Sequence, residues 1–368
     1  MRSPRQFVAI FFTLALLASA GSRARADSQP NKARPQHVFI IVLENKNFNE
    51  TFASGADDPY LARELTKQGE LLTNYYGIGH NSLDNYIAMI SGQAPNPDTQ
   101  ADCFTYLDLA PLNAALDQNG QVQGRGCVYP SLVKTLSDQL EAKGLTWRGY
   151  MEDMRRPCQH PAIGQPDDHI HARAGDQYAT RHNPFVYFHS LIDSGACQKH
   201  DLPLAQLEID LKDVATTRNL IFITPNLCHD GHDGPSAICE GGGLKSADRF
   251  LQAWVPKILE SPAYQQDGML IITFDEAETS DGASCCNEPP GPNVKQPGLR
   301  GTGDRSGGGR IGAVILSRYV KPGSRNDTPY NHYSMLRSLE DLFGLDHLGY
   351  AAQPDLKAFG DDVYNATR

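Results

Sequence analysis

Acidic and amide side chains stand directly after the apolar runs of this sequence, and that placement is the first chemical signal. Glu44-Asn45 follows the run 37–43, Asp275-Glu276 follows 269–274, and Asn226, Asp230 and His232 follow 220–223. Grouped carboxylates repel one another and are costly to desolvate unless a cation neutralises them. Their hard oxygens, with the Asn45 amide oxygen, suit magnesium, calcium or manganese better than a thiophilic metal. Acids opening a helix, favoured by its dipole, would account for Asp275 and Glu276 equally well. Four strand ends that all carry polar groups are harder to explain by structure alone, since convergent polar groups mark sites.

A second signal is Ser82, in the stretch 79–92, where a helix is expected to begin. A serine there is either an N-cap or a nucleophile lying in the positive potential of a helix N-terminus. Of the twelve histidines, two sit where they could act. His232 lies in a glycine-flanked loop and His332 just before the last helical pattern. Either is placed to protonate a leaving alkoxide or to hold phosphate oxygens. His160, His169, His171, His182, His189 and His200 read as solvated loop residues, with His169 and His171 near enough to a loop-lined pocket to be considered for it.

These side chains need a frame. The runs 37–43, 220–223, 269–274 and 311–316 are continuous, apolar and rich in β-branched residues, the pattern of strands buried on both faces. Leu204, Leu207, Leu211 and Val214 repeat at helical spacing, as do Leu251, Trp254 and Ile258. A third set is Met335, Leu336, Leu339, Leu342 and Phe343, with Gly344 as C-cap. Alternating buried strands and amphipathic helices predict an α/β fold, a mostly parallel central sheet with helices on both faces. Ligands of such sheets bind at the carboxyl ends of the strands. The span 103–200 is rich in Pro, Gly, His and Cys and reads as a loop insertion with one helix, 131–143. The span 285–309 reads as another loop.

Bulk properties narrow the setting. Arg2 and Arg5 precede a short apolar run that ends near Ala24-Arg25-Ala26, a signal peptide with cleavage before Asp27. Residues 27–36 then form a flexible leader. This predicts a secreted or periplasmic protein without stable membrane insertion. Removing 1–26 takes away Arg2, Arg5, Arg23 and Arg25 and no acid, so the net charge of −10 becomes −14. Such a surface repels nucleic acid, and an anionic substrate needs a local positive site. The eight cysteines are expected in disulfides, Cys228 with Cys239 by proximity, and Cys285 and Cys286 each with a different partner.

Five segments, in order, resemble the phosphoesterase family of secreted acid phosphatases and bacterial phospholipases C, within the alkaline-phosphatase superfamily. Residues 44–48 (E-N-K-N-F) match its segment after the first strand. His80-Asn81-Ser82 through Asn85-Tyr86 is similar to its H-P-S-x-x-N-Y segment, with Asn81 in place of proline. Residues 224–233, 273–276 and 330–340 resemble its P-N-x-x-x-D-x-H-D, T-[FW]-D-E and final histidine segments. The resemblance spans about 37–345, so 37–368 would be one domain of alkaline-phosphatase-like fold. It implies Ser82 as nucleophile and one divalent metal ion, magnesium or calcium favoured, held by Glu44, Asn45, Ser82, Asp275 and Glu276. It implies Asn45, His80, His232 and His332 on the phosphate, Asp230 orienting a histidine, and His232 or His332 as general acid. The expected substrate is a small phosphomonoester, phosphoinositides included. A phospholipase C acting on phospholipid headgroups is the alternative, and a non-catalytic exported protein that keeps a metal for stability is a second. A sulfatase is disfavoured because no C-x-P-x-R segment is present.

Overall fold

The runs of β-branched and aromatic residues do become strands, and every residue in them is buried. They are β1 (His37–Leu43), β5 (Leu220–Thr224), β6 (Gly268–Phe274) and β7 (Ala313–Ser317) in the chain-order numbering used here. Burying a Val, Ile, Leu or Phe side chain is worth roughly 1.5–3 kcal/mol each, which is why such runs seek a two-sided core. In this computed structural model, residues 1, 34–294 and 307–366 are described. The expected signal peptide and most of the leader lie outside them. Residues 34–368 cluster as one compact unit. No helix of the described residues is long and apolar enough to cross a membrane.

Four further strands complete an eight-stranded sheet: β2 (Glu70–Leu72), β3 (Trp147–Met151), β4 (Asp201–Pro203) and β8 (Ser324–Asn326). The order is β8-β2-β7-β6-β1-β5-β3-β4. β1 pairs in parallel with both β5 and β6, and β3 with β5 and β4. Only β7 opposes its neighbours β6 and β2, so the mostly parallel sheet is as expected. The reversal matters for the site. The carboxyl end of β7 lies at the edge opposite the carboxyl ends of β1, β5 and β6, and the chain returns through β8, parallel to β2.

The four additional strands lack a continuous apolar run, which hid them in the sequence. β8 is Ser-Arg-Asn, and β3 mixes Arg148 and Gly149 with aromatics. The 103–200 span is therefore more than loops, since β3 belongs to the sheet itself. Trp147 of that strand stacks on Phe185 at 4.7 Å between ring centroids.

Among the helices, α1 (Ser82–Ser91), α2 (Leu136–Ala142), α3 (Ala205–Asp210), α4 (Gly243–Leu259) and α5 (His332–Phe343) bear on the expectations and the site. α2 starts five residues later than expected because Thr135 and Asp138 form a reciprocal capping box. α3 stops before Val214. Gly344, at φ 64°, ends α5 in the left-handed conformation that its lack of Cβ allows. Disulfides join Cys103–Cys127, Cys158–Cys197 and Cys228–Cys239. Cys285 and Cys286 bond to each other, which corrects the expectation of separate partners. The other six cysteines pair among themselves.

α5 carries Glu340, fully buried, which accepts the Leu348 N–H at 2.9 Å. Burial pushes its carboxyl up to about 9. A carboxyl raised in the folded state favours folding while protonated, so its contribution is full below the unfolded value near 4 and lost as pH rises toward 9. Glu340→Gln is therefore expected to flatten the fall in melting temperature between about pH 5 and 9. An unchanged slope in thermal melts across that range would contradict the assignment.

Candidate functional site

Strand ends at one edge of the sheet are tied together by backbone hydrogen bonds. The N–H of Glu44, after β1, donates to the Asp230 carbonyl at 2.8 Å. The N–H of Asp275, after β6, donates to the Leu43 carbonyl at 2.8 Å. Asn45 sits at φ 50°, a left-handed position that asparagine tolerates better than most residues. That turn sends its N–H to Asp275 Oδ1 at 3.0 Å and its Nδ2 to Glu276 Oε1 at 2.9 Å. The Glu276 N–H also donates to Asp275 Oδ1, at 2.6 Å.

α1 aims its first turn at this cluster. Asn81, in an extended conformation, takes the N-cap position, so Ser82 is the first helical residue and not the cap. Its hydroxyl is left to donate to Glu44 Oε2 at 2.8 Å. Residues three and four positions on share that helix face. Tyr86 accordingly donates to Glu44 Oε1 at 2.6 Å, and Asn85 to Glu276 Oε2 at 3.2 Å. The Leu83 N–H at the helix start donates to Asp102 Oδ1 at 3.1 Å.

Glu44, Asp230, Asp275 and Glu276 are all buried. Burial first, then Asp275 and Asp230, hold Glu44 well above the usual carboxylate range. Burial and Asp275 do the same for Glu276. Burial raises Asp230 as well and pushes Asp275 up to about 6. Arg181 is a buried cation facing Asp102, Glu44 and Asp230. One guanidinium does not balance this group. Asn45 Oδ1, Asp230 Oδ2 and Asp275 Oδ2 are buried acceptors with no hydrogen-bond donor. A buried acceptor without a donor costs about 1–3 kcal/mol, more when charged. Carboxylate, amide and hydroxyl oxygens are the donor types that a hard divalent cation takes.

The expected site residues do not all play the expected parts. Glu44, Asn45, Ser82, Asp275 and Glu276 come together. Asn45 uses one Nδ2 hydrogen on Glu276 and keeps a second donor and its Oδ1 acceptor. His332 is fully buried; its Nε2 meets the Asp275 carbonyl at 2.5 Å and its Nδ1 the Tyr75 hydroxyl at 3.2 Å. Burial holds the ring neutral, its pKa lowered to about 4. His80 is buried and its Nε2 donates to the Asp281 carbonyl at 2.8 Å, pinning the loop after Glu276. Asp230 receives the His232 N–H on Oδ1 at 2.9 Å. His232 itself is exposed, at the rim of a cavity. His169 lies beside Asp176 at 3.5 Å, and His171 is exposed.

Three residues were missed. His182, read as a solvated loop residue, is fully buried. Its Nε2 lies 3.3 Å from Glu44 Oε2 and its Nδ1 3.8 Å from Asp230 Oδ2. Its ring stacks on Tyr86 at 5.4 Å. No local pattern around 182 announces this, because α1 and the strand ends create the environment. Asn85 and Tyr86 were within reach, since helical spacing from Ser82 points to both.

At one edge of this α/β sheet a helix-borne serine stands among buried carboxylates. A family model described as "Phosphoesterase family" matches residues 54–346, and the chain belongs to that family. It is 30% identical over 309 residues to a phosphate-repressible acid phosphatase of Penicillium chrysogenum, covering 84% of this chain and 59% of that one. It is 25% identical over 327 residues to a phosphatidylinositol-3-phosphatase of Mycobacterium tuberculosis, covering 88% and 83%. The chain thus spans about three-fifths of the length of the Penicillium relative. Among solved structures, a putative sulfatase from Bacteroides thetaiotaomicron aligns with a TM-score of 0.51 at 12% identity, covering 91% of this chain and 75% of that one. A protein of the alkaline phosphatase superfamily from Vibrio parahaemolyticus aligns at 0.48 and 16%, covering 85% and 67%. The sulfatase likeness is one of fold.

The charge imbalance has a direct consequence. Asp275→Asn is expected to raise the melting temperature of chelator-treated protein, because it removes one charge while its amide oxygen keeps both N–H bonds. A magnesium or calcium ion held here would stabilise the wild type by about 2.7 kcal/mol at a hundredfold excess over Kd, and the same variant is expected to lose that gain. Calorimetry with and without chelator reads both effects. A variant less stable than wild type under chelator would overturn the electrostatic reading.

Proposed function

We propose that this chain is an exported phosphoric-ester hydrolase acting on phosphomonoesters, with Ser82 as nucleophile and one divalent cation held by Glu44, Asn45, Ser82, Asp275 and Glu276. The observation that carries the reading is the 2.8 Å hydrogen bond from the Ser82 hydroxyl to Glu44 within a buried, uncompensated carboxylate group. A magnesium or calcium ion there would neutralise the carboxylates and act as a Lewis acid toward the serine hydroxyl and a phosphate oxygen.

The protein's own groups do the rest. Glu44, locked by Tyr86, orients the Ser82 hydroxyl. The N-terminal end of α1 places positive potential beside it. Asn45 and Asn85 fix Glu276, and the His332 contact fixes the backbone of Asp275. Buried Arg181 adds positive charge on the side of Glu44 and Asp230. Ser82 gives its hydroxyl proton to Glu44 and attacks phosphorus in line, the bond to the leaving alcohol breaks, and a phosphoserine forms. His232, exposed at the cavity rim, gives its proton to the departing alkoxide. Water then attacks the phosphoserine, giving a proton back to His232, inorganic phosphate leaves, and the proton on Glu44 returns to the Ser82 oxygen.

Ser82→Ala is expected to cut kcat toward p-nitrophenyl phosphate by about 10³-fold or more with the fold intact by circular dichroism. Near wild-type turnover in that variant refutes the nucleophile. A parallel assay on p-nitrophenylphosphorylcholine separates the ester classes, and a strong preference for that diester would place the chain with the phospholipases C.

A further inference from the structure

Away from the Glu44 group, one further carboxyl is buried without support. Asp58 stands between exposed Asp57 and Pro59, yet is itself fully buried. No donor from another residue reaches either of its carboxyl oxygens. Burial first, with Asp248, Glu50 and Asp57 nearby, pushes the carboxyl up to about 8. A proton there would remove the charge and still leave one oxygen an acceptor without a donor. Buried charges persist where they are paired or coordinate a metal.

A second buried carboxylate stands beside it. Asp248, on α4, accepts the Tyr60 N–H at 3.3 Å, the Leu61 N–H at 3.0 Å and Gln252 Nε2 at 2.9 Å. Two of those bonds tie α4 to the backbone just after Asp58, which brings the two carboxyls close enough to repel. Among the described residues, no lysine, arginine or histidine is paired with either. Lys46 is shared between Glu50 and Glu278, each at 3.6 Å, and Lys245 lies 3.4 Å from Asp57. Glu50 and Asp57 also line a solvent-open cavity of about 670 Å³, which gives ions a route to the segment that holds Asp58.

We propose that Asp58 and Asp248 hold a structural calcium ion that fastens the segment 52–61 to α4, with Glu50 and Asp57 adding negative charge at its entrance. Two free oxygens on one carboxyl suit bidentate binding. Calcium accepts that in its flexible shell of about 6–8 oxygens, completed by carbonyls and water, whereas magnesium demands a near-ideal octahedron. The site shares no ligand with the Glu44 group and stands whether or not that group is catalytic.

The test counts ions and then locates them, and enzymatic activity enters neither reading. Elemental analysis follows equilibrium dialysis of the full-length protein against calcium chloride. Asp58→Asn, which keeps the side-chain shape and removes the charge, is expected to hold one calcium ion fewer per chain than the wild type. Hydrogen exchange read by mass spectrometry gives the place. At calcium a hundredfold above its Kd, opening of residues 53–61 is expected to be about a hundredfold rarer in the wild type and unchanged in Asp58→Asn. Equal calcium content in the two proteins, or wild-type exchange at 53–61 that calcium does not slow, overturns the site. Magnesium at the same concentration is expected to protect less, and equal protection overturns the assignment to calcium. Should Asp58→Asn fail to fold, the same exchange comparison on Asp275→Asn, whose other cradle is weakened, decides. Calcium protection of 53–61 in that variant upholds the site, and its absence overturns it.

Discussion

Four carboxylates buried at one edge of the sheet are the constraint to which the surrounding structure answers. Like charges in a low-dielectric interior repel strongly, and each costs several kcal/mol to desolvate. The protein meets part of that cost with directed donors: Ser82 and Tyr86 to Glu44, Asn45 and Asn85 to Glu276, and two backbone N–H groups to Asp275. What remains are acceptors without donors, and these define where positive charge belongs. The arrangement sacrifices stability for a preorganised anionic cradle, a trade common at functional sites.

The sheet makes the cradle rigid. β1 is sandwiched between β5 and β6 in parallel register, so Glu44, Asp230 and Asp275 leave the sheet at the same edge. Buried apolar strands on both sides leave these exits little freedom to move. α1 then crosses the edge with its first turn facing the carboxylates. Ser82, Asn85 and Tyr86 reach three different oxygens from one helix face. His182 closes the far side against Tyr86. His332, arriving at the start of α5, holds Asp275 from behind. A residue that touches no substrate can thus matter as much as one that does, because a displacement of about 1 Å is enough to cost orders of magnitude in rate.

Much of this was readable in the chain. The runs that became β1, β5, β6 and β7 announced themselves because strands buried on both faces need uninterrupted apolar side chains. Glu44, Asn45, Asp275 and Glu276 were legible because each stands one or two residues past such a run. β2, β3, β4 and β8 were not, since short or edge strands carry mixed sequences whose pairing is decided by neighbours. The reversed direction of β7 was equally hidden, as an apolar run has no polarity. His182 and His332 show the same divide. Their sequence settings suggested a solvated loop and a catalytic acid. Burial against α1 brought the first to Glu44, and hydrogen bonding tied the second to the Asp275 carbonyl.

By itself, then, the order of residues determined which segments must be buried and which polar groups sit at their ends. Those properties are local: a β-branched run seeks the core whatever surrounds it, and the next residue in the chain must emerge where the strand stops. Tertiary structure alone decided which of those ends meet, which nitrogen of each histidine is spent, and which oxygens are left without donors. Such outcomes depend on distances between segments far apart in the chain, set by strand order and helix packing, and no stretch of sequence carries them on its own.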